Sequence, residues 1–157
     1  GAALAAVGLA GQRTTNPYDL GYSLRKLLTI ASVLAMNTPV VIFDEPTTGQ
    51  DARGVGTIKA IIERLAGDGR TVVCISHDMR FVAEAFGRVV VMRQGTIVLD
   101  AAPQAVFAEA AWPVLQSTNL RPPYAALMGA QLALDRPTPT DGDLVAALRA
   151  RRAAGGA

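Results

Sequence analysis

The sequence predicts an α/β fold: a parallel sheet with flanking helices, followed by a small helical appendage. Three observations carry this prediction. Val40-Val41-Ile42-Phe43-Asp44 is a continuous apolar run, the pattern of a strand buried on both faces of a parallel sheet. Thr71 to Ser76 is a second such run. Between them, Ala52 to Leu65 places Val55, Ile58, Ile61, Ile62 and Leu65 at helical spacing. Strand, helix, strand in that order is a crossover unit whose strands run parallel.

The remaining elements follow from the N-terminus. Residues 1–18 mix small apolar residues with Gly8, Gly11 and Pro17, which predicts a short helix and then a loop. Arg25 to Met36 reads as a helix without a wide polar face, so it is expected to be largely buried. Pro39 ends the connection to the first strand. Thr47 to Asp51 is a loop with Gly49 as its flexible point, and Gly67 and Gly69 stop the crossover helix. Met79 to Phe86 predicts a helix. Val89 to Met92 and Thr96 to Leu99 predict a hairpin closed by Arg93-Gln94-Gly95. Helical segments at 103–109, 123–134 and 141–152 are separated by Pro113, Pro122-Pro123, Pro137 and Pro139. No internal repeat is visible.

Composition narrows the function classes. A chain of 157 residues with 50% hydrophobic content can build a sizeable core. Net charge is only +2, and no basic stripe interleaves with aromatic residues, so nucleic acid is not an expected partner. Arg149, Arg151 and Arg152 read as a solvated helix end that suits the C-terminal dipole. The single cysteine, Cys74, excludes an internal disulfide and reads as a buried, inert thiol. Leu27 to Phe43 is interrupted by Asn37-Thr38-Pro39 and closed by Asp44-Glu45, which favours helix, turn and strand over a membrane span. The start, Gly1-Ala2-Ala3-Leu4, has neither a charged leader nor an initiator methionine, which is expected of a fragment.

Chemistry concentrates at the strand ends. In an open parallel sheet, ligands bind beyond the carboxyl ends of the strands. Asp44 and Glu45 stand at one such end, and His77 and Asp78 follow the other. The crossover is expected to bring these ends onto one edge. An aspartate there can hold Mg²⁺ directly or through water. Glu45 can polarise an attacking water, and His77 can donate a hydrogen bond to a terminal phosphate. Ordinary strand ends also carry Asp-Glu pairs, and Asp78 reads equally well as the cap of the next helix. No nucleophile elbow supports a serine triad. The sequence contains no G-x-x-x-x-G-K-[ST], and neither lysine, Lys26 or Lys59, has a Gly-Lys-Ser/Thr context.

Taken together, residues 4–109 resemble the ATPase subunit of an ABC transporter. Val40 to Glu45 resembles the Walker B strand. Thr47-Thr48-Gly49-Gln50-Asp51 resembles the D-loop, and Ser76-His77-Asp78 the switch-histidine loop. The hairpin and the segment Pro103 to Phe107 resemble the elements that follow the histidine. Arg25-Lys26-Leu27-Leu28, the Glu45-Pro46-Thr47-Thr48-Gly49 wording and the helical tail resemble the energy-coupling-factor and cobalt/vitamin importer branch. The resemblance implies a partial P-loop NTPase fold. Residues 1–36 are then part of the helical signature subdomain, 37–109 the C-terminal part of the α/β core, and 110–157 a helical appendage.

It also implies ATP and Mg²⁺ as cofactors. Asp44 is the implied magnesium ligand, Glu45 the catalytic base, His77 the γ-phosphate sensor and Asp51 a contact across a dimer of ATPases. The implied partners are a second ATPase subunit, identical or related, and a transmembrane coupling subunit. The implied location is cytoplasmic, on the inner face of the cell membrane.

Two departures from the family pattern stand out. The P-loop and Q-loop are missing, so this chain alone is expected to be inactive and prone to aggregate through an exposed sheet edge. The signature Leu-Ser-Gly-Gly-Gln is replaced by Leu20-Gly21-Tyr22-Ser23-Leu24. Tyr22 is bulky where close backbone approach to a phosphate is needed, while Ser23 offers a hydroxyl one register away. Impaired and working versions of this site both remain open. A non-catalytic binding or regulatory fragment is one alternative reading. A DNA-repair or chromosome-type ATPase is another, and the hairpin with its downstream helix counts against it.

Overall fold

The computed structural model describes residues 1–154; residues 155–157, the end of the expected appendage, lie outside them. The chain divides into two compact units, one spanning Gly1–Ser76 and one beginning at His77.

The first unit starts with α1 (Ala2–Ala6), which packs against α2 (Tyr22–Ala35). Single 3₁₀ turns at Ala10–Gln12 and Pro17–Asp19 connect them, and the Asn16 side chain caps the second by accepting from the Tyr18 N–H. α2 begins three residues before its expected start. Gly21 is its N-cap in extended conformation, so Tyr22, Ser23 and Leu24 are helical rather than loop. The helix is also less buried than its composition suggested. Leu27, Ile30 and Ala31 form the one buried stripe, and Met36 is exposed. A stripe at i, i+3 and i+4 is what a helix packed on one side produces.

β1 (Val40–Asp44) and β2 (Thr71–Ile75) pair in parallel, with Val40 opposite Thr71 and Asp44 opposite Ile75. The Thr71 N–H reaches the Pro39 carbonyl and the Glu45 N–H reaches the Ile75 carbonyl, both at 2.9 Å, so the ladder extends past both strand ends. α3 (Ala52–Gly67) makes the crossover. Ile58, Ile61, Ile62 and Leu65 are buried as the spacing predicted, whereas Val55 is only half-buried; Gly67 is the last residue of the helix and Gly69, at φ +77°, turns the chain after it.

The expected burial of both strand faces is corrected. Val41 and Phe43 are buried, but Val40 and Ile42 are 49% and 64% exposed, and Val73 and Ile75 are 44% and 56% exposed. Side chains alternate along a strand, and this sheet of two strands has only one of its faces covered. Cys74 is accordingly half-buried rather than fully buried.

The second unit opens with α4 (Met79–Ala85), capped by the Asp78 side chain, which accepts from the Phe81 N–H at 3.0 Å. β3 (Val89–Arg93) and β4 (Thr96–Ala101) form the expected antiparallel hairpin. Gln94 and Gly95 both have positive φ, the geometry of a tight two-residue turn that matches strand twist. A bulge between Val91 and Met92 shifts the register. Arg88 and Asp100 close the open end in a bidentate pair at 2.8 and 2.7 Å.

Helices α5 (Pro103–Val106), α6 (Trp112–Gln116), α7 (Tyr124–Gln131) and α8 (Asp141–Ala154) complete the unit. Pro113 sits within the first turn of α6 rather than between helices; proline lacks the N–H that is unsatisfied there anyway. Thr140 and Asp143 exchange capping hydrogen bonds at the start of α8. Met79, Val82, Val89, Val91, Val106, Phe107, Leu115 and Ala126 share one hydrophobic core, which ties α4 and the hairpin to the tail helices. Arg80 adds a polar tie, reaching Glu84 at 3.1 Å and Asp141 at 2.7 Å. Arg151 and Arg152 are exposed in the last turn of α8, and Arg151 donates to the Leu132 carbonyl at 2.7 Å.

Candidate functional site

Asp44 ends β1 with an exposed side chain. Glu45 does not continue the strand. Its φ is +46°, a left-handed conformation uncommon outside glycine. The chain then turns: the Thr48 N–H points to the Glu45 carbonyl at 3.4 Å, and the Gln50 N–H to the Thr47 carbonyl at 3.0 Å. The Thr48 hydroxyl donates to the Glu45 carboxylate at 3.4 Å. Asp51 is the N-cap of α3, and its carboxylate accepts from the Gly54 N–H at 2.7 Å.

The N-terminal turn of α2 meets this loop. Leu20 is buried and Gly21 has open space where a side chain would be. The Tyr22 ring lies over Gly49, whose φ of +75° already favours glycine and whose missing Cβ leaves room for the ring. The Ser23 hydroxyl donates to Gln50 Oε1 at 2.8 Å, and Gln50 Nε2 returns to the Ser23 carbonyl at 3.4 Å. Gln50 also fills the space a Cβ on Gly54 would need. Lys26 Nζ donates to the Glu45 carbonyl at 2.6 Å and the Thr48 carbonyl at 2.9 Å.

The candidate residues Tyr22 and Ser23 are therefore brought together with the loop that carries Glu45 and Asp51. Lys26 was not among the sequence candidates. Its signal was available: Tyr22, Ser23 and Lys26 stand at i, i+1 and i+4, where Tyr22 and Ser23 each share a helix face with Lys26. Cys74, opposite Phe43, has its pKa pushed up to about 11, first by burial and then by the Glu45 and Asp44 carboxylates. His77 is exposed in the second unit and lines an open cavity of about 410 Å³ with Asp78, Arg80, Asn119, Arg121 and Tyr124.

A parallel strand pair joined by a capped crossover helix, with flanking helices and an acidic pair where the first strand ends, defines a partial P-loop NTPase fold. No family model matches the sequence. The chain is 40% identical over 110 residues to the L-cystine transport system ATP-binding protein TcyN of Escherichia coli, covering 70% of this chain and 44% of that protein. It is 35% identical over 108 residues to the energy-coupling factor transporter ATP-binding protein EcfA2 of Mycoplasmopsis synoviae, covering 69% of this chain and 34% of that protein. Among solved structures it is similar to cbiO1 of Clostridium perfringens, part of the ABC transporter complex cbiONQ. There the TM-score is 0.63 and the identity 32%, over 85% of this chain and 51% of that one. The homologues of this chain are thus ABC transporter ATP-binding proteins, an energy-coupling factor protein and a CbiO component among them. The chain spans less than half the length of the curated relatives it matches. Among the described residues, no helix is long and apolar enough to cross a membrane.

Proposed function

We propose that this chain is the C-terminal portion of the ATP-binding, ATP-hydrolysing subunit of an importer of the energy-coupling-factor type. The observation that carries the reading is the Asp44-Glu45 pair at the carboxyl end of a parallel strand, in a chain whose homologues are ABC ATP-binding proteins. In this reading residues 1–36 belong to the helical signature subdomain, 37–109 to the ATPase core and 110–157 to an appendage.

The donor chemistry at Asp44 fits Mg²⁺. Magnesium keeps several waters and takes one or two carboxylates together with phosphate oxygens. Among the described residues there is no cluster of three or more side chains able to ligate a metal, which does not suit an ion caged wholly by protein. Bound Mg²⁺ would neutralise charge developing on the phosphates of ATP. Asp44 would hold that ion directly or through water. Glu45 accepts a proton from the attacking water, and His77 donates to the γ-phosphate. Asp51 and the segment Leu20, Gly21, Tyr22 and Ser23 face the nucleotide site of a second ATPase subunit, identical or related. The phosphate cradle is supplied by residues other than these, so the chain by itself hydrolyses no ATP. A transmembrane subunit completes the assembly at the inner face of the cell membrane, and nucleic acid has no part in it.

The test is ATP hydrolysis by the transporter complex assembled with the subunit that joins this chain to its phosphate cradle. Glu45→Gln is expected to lower the rate by on the order of 10²–10⁴-fold, with His77→Ala also impaired. Hydrolysis unchanged in Glu45→Gln would sink the reading.

A further inference from the structure

We propose that Lys26 is a positioning residue that holds Glu45 in its left-handed backbone conformation and so aims the Glu45 carboxylate. The inference rests on the reading of Glu45 as the base for water attack.

Glu45 is the critical backbone position. A side-chain-bearing residue at φ +46° is strained, and such strain persists only where surrounding contacts over-determine it. Pro46 narrows the backbone choices of Glu45 further. Backbone and side-chain contacts fix the peptide groups around it. The Glu45 N–H is tied to the Ile75 carbonyl at 2.9 Å, which anchors the residue to the end of β2. The Glu45 carbonyl receives Lys26 Nζ at 2.6 Å, and the same ammonium reaches the Thr48 carbonyl at 2.9 Å. An ammonium has three donors and no acceptor, so it can bind two converging carbonyls at once. Charge-assisted hydrogen bonds of this kind are the stronger ones. The Thr48 hydroxyl points to the Glu45 carboxylate in a long contact of 3.4 Å.

The clamp extends along the helix face. Tyr22 rests on Gly49 and Ser23 pairs with Gln50, so α2 reads the loop at three successive points. Lys26 differs from the other two in that its ammonium reaches the carbonyl of the residue whose φ is unusual. Lys26 is half-buried, and its bond to the Glu45 carbonyl is partly shielded from water while the one to the Thr48 carbonyl is exposed.

The experiment compares Lys26→Met, Lys26→Gln and Lys26→Arg in two measurements. The first is the three-bond amide-to-α-proton coupling of Glu45 in the full chain, which reads φ without nucleotide. Lys26→Met should move it, and Lys26→Arg, which keeps a charged donor, should retain it. Lys26→Gln gives the same readout with a polar side chain should the methionine variant fail to fold. The second is ATP hydrolysis by the assembled transporter. Lys26→Met should lower kcat by on the order of 10²-fold with KM unchanged, the scale of a displaced catalytic group, and Lys26→Arg should recover most of it. An unchanged coupling in both neutral variants overturns the clamp. A changed coupling with unchanged kcat overturns its role in aiming Glu45. If Glu45→Gln does not slow the wild-type complex, the reading of Glu45 fails instead, and the coupling alone still decides whether Lys26 sets the backbone.

Discussion

The Thr138 side chain lies directly against the α-carbon of Gly129 in helix α7. Thr138 is almost fully buried, and its hydroxyl donates to the Ala125 carbonyl at 2.7 Å, so the contact has no freedom to slide. A Cβ on Gly129 would overlap Thr138 Oγ1. Gly129→Ala is therefore expected to destabilise the second unit by about 1–3 kcal/mol, the usual cost of overpacking, even though alanine is the better helix former. Urea unfolding followed by circular dichroism checks this. Gly129→Ala combined with Thr138→Ala should lose less than the two single changes added together.

Asp51 offers a separable test of cap and function. Its carboxylate satisfies the Gly54 N–H at the start of α3. Asp51→Ala should cost about 1 kcal/mol of stability, and Asp51→Asn should cost much less, because asparagine caps equally well. Thermal unfolding of the two variants checks the order. A loss of transporter activity in Asp51→Asn with stability retained would then report a role beyond the cap.

Cys74 gives a pH-dependent signature. Its thiol is raised from an ordinary 9.0 to about 11 by burial and by the nearby Glu45 and Asp44 carboxylates. The thiolate is the reactive form, so alkylation at pH 8 should run on the order of 100-fold slower in the folded chain than in denaturant. The sign for stability follows. Between pH 9 and 11 the unfolded thiol has released its proton while the folded one keeps it, so stability falls as pH rises across that window. Cys74→Ser should flatten this slope, and Glu45→Gln should speed alkylation.

The parallel unit was legible because Val40 to Phe43 and the helical spacing of Ile58, Ile61, Ile62 and Leu65 encode their periods locally. Which face of β1 meets solvent was not, because an all-apolar run reads the same whether one side or both are covered. The start of α2 was missed for a different reason. The helical pattern is visible only from Arg25, but Gly21 in extended conformation makes an adequate N-cap and starts the helix at Tyr22. Pro113 misled in the same way, since a proline that breaks a helix interior fits its first turn. At the candidate site, Asp44 and Glu45 were visible as a strand end. The turned backbone of Glu45 was not, as nothing in Glu45-Pro46 announces a positive φ. Lys26 carries no local sign of its partners, because its contacts lie 19 and 22 residues away in sequence.

The hairpin turn at Gln94 and Gly95 has a consequence for the order in which this chain folds. β3 and β4 meet across two residues, whereas β1 must find β2 across the whole of α3. Short loops close at small entropic cost, and hairpins form within about 1–10 μs. Parallel pairing waits until α3 has shortened the distance between its strands. Pulse-labelled hydrogen exchange should therefore find the amides of β3 and β4 protected before those of β1 and β2. The second unit can then acquire native structure while the strand that ends in Asp44 is still searching for its partner.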